Sequence, residues 1–366
     1  MLWRIFSILM IVIAATGVIY LITCFHRFSP VQRIARRSRI LSGLLAAVPV
    51  ALISSFILIN VTAMAVVLLH VIVIWLLCDL IAWCIGRARK RKLNRDWQGI
   101  AALLIAAVYL GMGWYFAHHV YQTNYALTTA KELGGESLRI VEIADSHLGI
   151  TQDGQDFSRL MDRIQATQPD LVVVVGDFVD DDTDKEDMLE ACRALGELDT
   201  SFGVYFAFGN HDQGYFNYRN FTAQELRTAL TENGVTILED ESVLLDNRFY
   251  LIGRRDRSMR GRLDAEALTA PLDASKYMIL LDHQPNDYAH EAAAGADLVL
   301  SGHTHGGHIY PAGLIGLAMG ANDSVYGLQR RENTDFIVTS GVSGWAIPFK
   351  TGTISEYVVI DIAQAQ

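Results

Sequence analysis

Cysteine is scarce in this chain. Four occur in 366 residues; Cys24, Cys78 and Cys84 lie in apolar segments and Cys192 lies in a helical pattern. No framework of paired cysteines is visible, and a cysteine-based metal site is not indicated. The count leaves the redox compartment open. Acidic residues are almost missing from the first third, where residues 1–119 hold 12 Lys and Arg against only Asp79 and Asp96. Basic residues are thin in the rest: residues 120–366 hold 18 against 38 Asp and Glu. The second part offers no broad basic face, so nucleic acid is excluded as an expected partner. No internal repeat or low-complexity segment stands out.

In place of acids, the first third has long apolar runs. Residues 2–25 are apolar apart from Arg4 and a few hydroxyls, and residues 41–85 form a second run broken by little more than His70 and Asp79. As one helix that second run would be roughly 68 Å long, more than twice a ~30 Å hydrocarbon core. It therefore folds back, with the break expected at 54–62 around Asn60. Residues 99–117 form a fourth span, flanked by the interfacial aromatics Trp97, Trp114 and Tyr115. The first stretch ends without a clear small-residue cleavage site, so it reads as a span and not as a cleaved leader.

Two basic loops orient these spans. Residues 26–39 carry five Arg, and residues 87–98 carry six Lys and Arg. Two crossings between them put both loops on one face, which the positive-inside rule makes cytoplasmic. The fourth span then delivers the remainder of the chain outside the cytoplasm. A carboxylate inside a span, such as Asp79, is either functional or paired. Arg87 or a neighbouring helix is its expected partner. His70 is expected to pack and hydrogen-bond between helices.

The remainder alternates buried-strand patterns with helical ones, the signature of an α/β domain. Helical spacing covers 157–168, 185–198, 222–233 and 285–295. Later strands at 235–238, 249–252, 336–339 and 357–362 have no helical pattern between them, so antiparallel pairing and two packed sheets are expected. Residues 120–136 read as a linker between a membrane domain (1–119) and a second domain (137–366).

Five apolar runs end in reactive side chains. They lead to Asp145-Ser146-His147, Gly176-Asp177-Phe178-Val179-Asp180, Gly209-Asn210-His211-Asp212, His283-Gln284-Pro285, and Gly302-His303-Thr304-His305. Strand ends of this kind line up along one edge of a sheet. Singly, each motif is an ordinary turn; five in order are not. The candidate ligands are Asp145, His147, Asp177, Asn210, His283, His303 and His305. Seven oxygen and nitrogen donors exceed the needs of one ion but fit two that share a carboxylate. Such a pair can bridge a hydroxide and clamp the oxygens of phosphoryl transfer. Imidazole mixed with carboxylate suits Mn, Fe, Zn or Ni better than Mg or Ca. A further cluster, Arg254, Arg255, Arg257, Arg260 and Arg262, follows the strand at 249–253. Its first three members are candidate phosphate or lipid-headgroup contacts, because arginine recognises phosphate through paired donors; the alternative is a solvated loop balancing Asp256 and Asp264.

The ordered motifs resemble the calcineurin-like metallophosphoesterase superfamily. The wider wording, with His283-Gln284-Pro285 and Leu300-Ser301-Gly302-His303-Thr304-His305-Gly306-Gly307, is similar to its membrane-linked bacterial branch, some of whose members act on lipid-linked or nucleotide-sugar phosphate anhydrides. The resemblance covers about 137–363 with no ligand position altered. Together with the spans read above, it gives the expected architecture: an N-terminal multi-helix transmembrane domain followed by an α/β metallophosphoesterase domain of two packed mixed β-sheets flanked by helices. It implies one divalent metal on Asp145, His147, Asp177 and His305, and a second on Asp177, Asn210, His283 and His303. His211 would face the substrate phosphate, and Asp180 and Asp212 would orient histidines. The function expected is a metal-dependent phosphoesterase in a bacterial plasma membrane, its catalytic domain extracytoplasmic, acting on a phosphate-containing small molecule or a lipid headgroup. Two alternatives stand beside it: a phosphodiesterase of soluble substrates that uses its spans only as an anchor, and a membrane sensor or transporter with a non-catalytic domain.

Overall fold

The computed structural model describes residues 15–90, 95–134, 137–215 and 218–365. They divide into two units, Met1–Met112 and Gly113–Gln366. The first unit contains α1 (Ala15–His26), α2 (Ser29–Ala35), α3 (Arg39–Ser54), α4 (Val61–Ala88) and most of α5 (Arg95–His118). Three stretches are long and apolar enough to cross a membrane: Arg39–Leu58, Val61–Ala88 and Asp96–His118. The span expected over 2–25 lies largely outside the described residues; its described part is α1. The fold-back falls where expected. A short 3-10 turn at Ser55–Leu58 ends the α3 run, and the Asn60 side chain accepts the Ala63 N–H at 2.7 Å to start α4. That cap satisfies one of the donors a helix start leaves free.

Asp79 finds its partner on a neighbouring helix. Its carboxylate accepts from Arg27 Nη1 at 3.2 Å, from the Tyr20 hydroxyl at 3.1 Å and from Gln98 Nε2. Arg87 lies eight residues, about 12 Å of helical rise, along α4, and stacks over the Trp83 ring instead. His70 bonds the Val66 carbonyl one turn back in its own helix, and its ring packs against Tyr109 of α5.

The second unit is built on two six-stranded sheets. The first runs β1 (Val120–Thr129), β12 (Ser355–Gln364), β2 (Ser137–Ile143), β3 (Leu171–Val175), β4 (Val204–Ala207), β5 (Thr236–Ile237). The second runs β10 (Gly327–Arg331), β11 (Thr334–Val338), β9 (Leu298–Ser301), β8 (Tyr277–Leu281), β7 (Phe249–Gly253), β6 (Glu241–Leu245). The continuous apolar runs are explained by burial on both faces. Along β3, Leu171, Val173 and Val175 join an inter-sheet core with Leu251, Ile279, Leu281 and Leu300, while Val172 and Val174 face the opposite way. That outer face is covered by α6 (Gly154–Gln165), α7 (Lys185–Gly196) and α8 (Ala223–Glu232). The outer face of the second sheet is covered by α9 (Ala265–Thr269) and α10 (Tyr288–Ala293). Asp153, Asp184 and Thr222 cap the first three of these helices through their side chains.

Two expectations change. Of the later strands read as antiparallel, β5, β7 and β11 lie parallel to β4, β8 and β9. β7 and β11 each keep one antiparallel neighbour, the edge strands β6 and β10, and β12 runs antiparallel to β2. The connection from β7 to β8 is too short to show a helical period; its α9 has five residues. Residues 120–129 are no tether either. They form β1, paired in parallel with β12 from Val120–Ser355 to Thr129–Gln364. An edge strand with one wet face has little apolar content to betray it.

Candidate metal centre

The C-terminal ends of β2, β3, β4, β8 and β9 bring their following residues together. Backbone bonds hold the loops in register: Asp145 N–H donates to Gly176 O at 3.0 Å, His147 N–H to Asp177 O at 3.0 Å and Gly302 N–H to His283 O at 3.0 Å. Asp145, His147, Asp177, His303 and His305 all have φ between +36° and +67°. Non-glycine residues rarely adopt this left-handed region, and each such placement costs on the order of 1–3 kcal/mol unless its surroundings impose it. Five candidate ligands under that constraint mark a site whose geometry outranks local comfort. Gly176 shows how tight the packing is. At φ +78° its added Cβ would lie 2.6 Å from both Gly209 N and His283 Nδ1, so only glycine fits between the β3 and β4 ends.

The side chains form two neighbouring groups. Asp145, His147 and His305 present ligand atoms within 4.8 Å of one another, as do Asp177, His283 and His303. Three imidazoles share one arrangement. His147 Nδ1 meets Asp180 Oδ2 at 2.9 Å, His283 Nδ1 meets the Val175 carbonyl at 2.8 Å, and His305 Nδ1 meets the Ser343 carbonyl at 3.1 Å. Each Nδ1 faces an acceptor and must therefore carry the proton, leaving the Nε2 lone pair aimed inward. His147 Nε2 and His305 Nε2 lie 3.2 Å apart. His283 Nε2 is buried without a hydrogen-bond partner, 3.0 Å from Asp177 Oδ2. Lone pairs converging beside carboxylates call for a cation, and an outer acceptor on the far nitrogen is how metal-binding histidines are held. The donor set fits divalent ions.

Electrostatics agree. Burial pushes the Asp145 carboxyl up to about 6. Burial, followed by the positive neighbour His283, lowers His303 to about 4, and burial drives His305 well below the usual histidine range. Both are neutral ligands at pH 7. For His283 burial works against protonation, but Asp177 and Asp145 outweigh it and drive its pKa well up. The acids demand positive charge at that point, and a metal ion would satisfy the demand in place of the proton.

Asp177 lies between the two groups. Its Oδ2 is 3.0 Å from His283 Nε2 and 3.7 Å from His147 Nε2, and its Oδ1 accepts the His211 N–H at 2.8 Å. Asn210 Oδ1 lies 3.5 Å from Gln284 Nε2, and its amide donates to the Tyr215 hydroxyl at 2.9 Å. His211 sits beside a cavity of about 680 Å³ lined also by Asp177, Asn210, Tyr215, His303 and Trp345. Its Nδ1 meets Asp180 Oδ1 at 3.1 Å. Burial opposes protonation of His211, but the bond to Asp180 and the surrounding carboxylates raise its pKa above the ordinary value. Asp180 thus touches both His147 and His211. Burial pushes its carboxyl up, yet those two bonds hold it below the usual carboxylate range.

Asp212 does something other than orient a histidine. Its two oxygens accept four backbone N–H groups, from Asp177, Phe178, Val179 and Gly209 at 2.8–3.1 Å. It ties the β3 and β4 loops to each other, and acts on the site through the backbone of Asp177. The arginine cluster also divides. Arg254 points inward, 4% exposed, and its Nη1 binds Asp282 at 3.1 Å, Asp287 at 2.7 Å and Glu291 at 3.4 Å. Three carboxylates claim it, so it is not a substrate clamp. Arg255 is half-buried beside Asp240, while Arg257 is exposed. The same segment supplies a residue that sequence reasoning treated only as a counter-charge. Asp256 is fully buried and accepts from Gln284 Nε2 at 3.0 and 2.9 Å, on the side chain that faces Asn210. It follows a strand end, as the other site acids do, and that was its signal. Tyr215 and Trp345 carried none.

Two sheets whose parallel strand ends gather histidines and carboxylates into adjacent groups able to hold cations define a metal-binding α/β architecture. Residues 138–307 match the family model for calcineurin-like phosphoesterases. The chain is 31% identical over 233 residues to a metallophosphoesterase of Campylobacter jejuni, covering 62% of this chain and 59% of that one. It is 30% identical over 246 residues to a transmembrane protein with a metallophosphoesterase domain from Danio rerio, covering 62% and 54%. It is 31% identical over 247 residues to a metallophosphoesterase of Aquifex aeolicus, covering 65% and 90%. The chain belongs to the calcineurin-like metallophosphoesterase family. It spans little more than half the length of the first two relatives.

Proposed function

We propose that this chain is a membrane-anchored phosphoesterase with two divalent metal ions that hydrolyses phosphate ester or anhydride bonds at a membrane surface. One ion would rest on Asp145, His147, Asp177 and His305, the other on Asp177, Asn210, His283 and His303. Bound there, the ions supply Lewis acidity toward a phosphoryl oxygen and a nucleophile usable at neutral pH. The chain's own residues do the rest. Asp180 fixes the ring of His147 and, through its other oxygen, that of His211. His211, its Nδ1 anchored and its ring facing the cavity, is placed to protonate the leaving oxygen or steady the charge on the phosphoryl group. Asp212 holds the backbone from which Asp177 projects.

The observation that carries this reading is the shared placement of His147, His283 and His305, each with Nδ1 against an outer acceptor and Nε2 turned toward one of two buried carboxylates, Asp145 and Asp177. We read four spans from the apolar runs, the extracytoplasmic side from the basic loops at 26–39 and 87–98, and the bacterial plasma membrane from the family resemblance. The sensor or transporter alternative loses its main support, since Asp79 is bound to Arg27, Tyr20 and Gln98. The test is purification of the full chain with elemental analysis, followed by hydrolysis of a bis-aryl phosphate before and after chelation. Metal near two per chain and activity restored by Mn, Zn or Fe are expected. A chain that folds, holds no transition metal and hydrolyses nothing would end the reading.

A further inference from the structure

One helix of the second unit breaks the rule that the others follow. α6, α7 and α8 turn their charged residues to solvent and bury an apolar face. α11 (Ala312–Ala318) buries none of its residues. From Pro311 to Ala321 there is no polar side chain. Leu314 is 58% and Met319 79% exposed, and Ile315 and Leu317 are exposed as well. The aromatics Tyr310, Tyr326 and Trp345 are also exposed. A contiguous apolar surface of this kind marks a contact.

The backbone says what the contact is. Helix Asp96–His118 is long and apolar enough to cross a membrane, and its last turns, from Gly113, belong to the second unit. Lys350 N–H donates to Gly113 O at 2.8 Å, and the Ser355 hydroxyl donates to Ala117 O at 3.1 Å. Thr351 and Gly352 N–H both donate to His308 O at 2.9 Å, and Tyr310 N–H donates to the Thr351 hydroxyl at 3.2 Å. Gly113 lies five residues, about 8 Å, inside the end of its helix. The segment leading into α11 is therefore strapped to a point level with the final turns of a span, and does not stand beyond them. Trp114 and Tyr115, exposed on those turns, mark the depth at which such aromatics gather. α11 also begins seven residues after His305, and the exposed Trp345 lines the cavity beside His211, 5.6 Å from its ring.

We infer that α11 lies in the headgroup–acyl boundary of the bilayer that holds the spans, and sets the mouth of the metal centre at that surface. A short helix with an apolar face buries it there without crossing. The inference rests on the proposed function and deepens it: the substrate class is an amphiphile whose phosphate stands at the bilayer surface. A second copy of the chain on the same patch is the rival outcome.

The full chain in phospholipid nanodiscs tests this in two ways. A photo-crosslinking benzoylphenylalanine in place of Ile315 should yield lipid adducts, while one in place of the exposed Leu189 on α7 should not. Adducts to a second copy, or none to lipid at position 315, overturn the inference. Separately, the double variant L314E/I315E should hydrolyse a phospholipid-type ester in the disc roughly tenfold more slowly or worse, the equivalent of one lost aliphatic anchor. Its rate on a soluble bis-aryl phosphate should be unchanged. Equal loss on both substrates, or no loss on the lipid, counts against it. If the unaltered chain hydrolyses neither substrate, the proposed function falls while the crosslinking still decides where α11 lies.

Discussion

The two units treat the same residue types in opposite ways. In the first unit leucine and isoleucine face outward, Leu58 at 88% exposure, and the charged pair Arg27–Asp79 is turned onto neighbouring helices. In the second unit Leu138, Val173 and Leu281 are fully buried between sheets, and charge reaches the interior at the strand ends. The difference reflects the solvent each unit faces. Where the surroundings are apolar, packing needs little charge and what there is must be paired. Where the surroundings are water, a buried carboxylate costs free energy unless something compensates. The second unit buries Asp145, Asp177, Asp180 and Asp212 around one point. Such a concentration is reasonable only if cations join it.

The largest effect should come from breaking that compensation at its centre. Asp177→Asn keeps the shape but removes the carboxylate between the two groups. Hydrolysis should fall below detection and bound metal should drop, with the circular dichroism spectrum unchanged. Activity equal to the parent would mean that the charge cluster serves stability alone. Asp180→Asn should cost less, roughly 10–100-fold in metal affinity or turnover, because it positions histidines without reaching the centre. Elemental analysis and kcat measured together would check this. A larger loss than for Asp177→Asn would reverse the order of the two roles.

Glu142 sharpens the comparison from the other side, as a buried acid with no compensation. It lies on β2 opposite Val358, fully buried, and neither carboxylate oxygen meets a hydrogen-bond partner. Burial first, then Glu356 and Asp145, raise its pKa well above the ordinary value. The folded state therefore keeps the proton while the unfolded chain loses it. Stability is fully present below the ordinary glutamate range and is lost as pH rises above it. Glu142→Gln removes this penalty at neutral pH. A gain of about 1–3 kcal/mol is expected, or about 2–4 °C in Tm for each kcal/mol in a unit of this size. The gain should shrink toward pH 4. A Tm difference that stays constant from pH 4 to pH 8 would show that the proton is not the cause.

Much of this was legible in the sequence because both regions announce themselves by runs. Burial on both faces writes β2, β3, β4, β8 and β9 as unbroken apolar strings, and their ends carry the ligand motifs. The fold-back at Asn60 followed from length alone. What escaped has a physical reason in each case. β1 is an edge strand with a wet face, so it looked like a tether. α9 is too short to show a period, so the parallel course of β7 and β8 was missed. Arg254 looked available because sequence does not reveal that Asp282, Asp287 and Glu291 converge on it. Asp212 lies next to His211, yet its work is done on backbone amides that only the fold brings near.

The smallest effect is expected in the first unit. Asp79→Asn removes the partner of Arg27, whose Nη1 lies 3.2 Å from Asp79 Oδ2, with both side chains partly exposed. Asparagine can still accept a hydrogen bond from Tyr20 or Gln98, so the loss is limited to the ionic part. Polar pairs between membrane helices average about 0.6 kcal/mol, and that is the loss of stability expected when the chain is unfolded in mild detergent. Turnover of a soluble phosphate ester should not change, because no candidate ligand belongs to the unit that holds Asp79. If turnover fell with metal content intact, the two units would be coupled. Asp79 would then be a regulator of the metal centre, no longer a local fastening of α1 to α4.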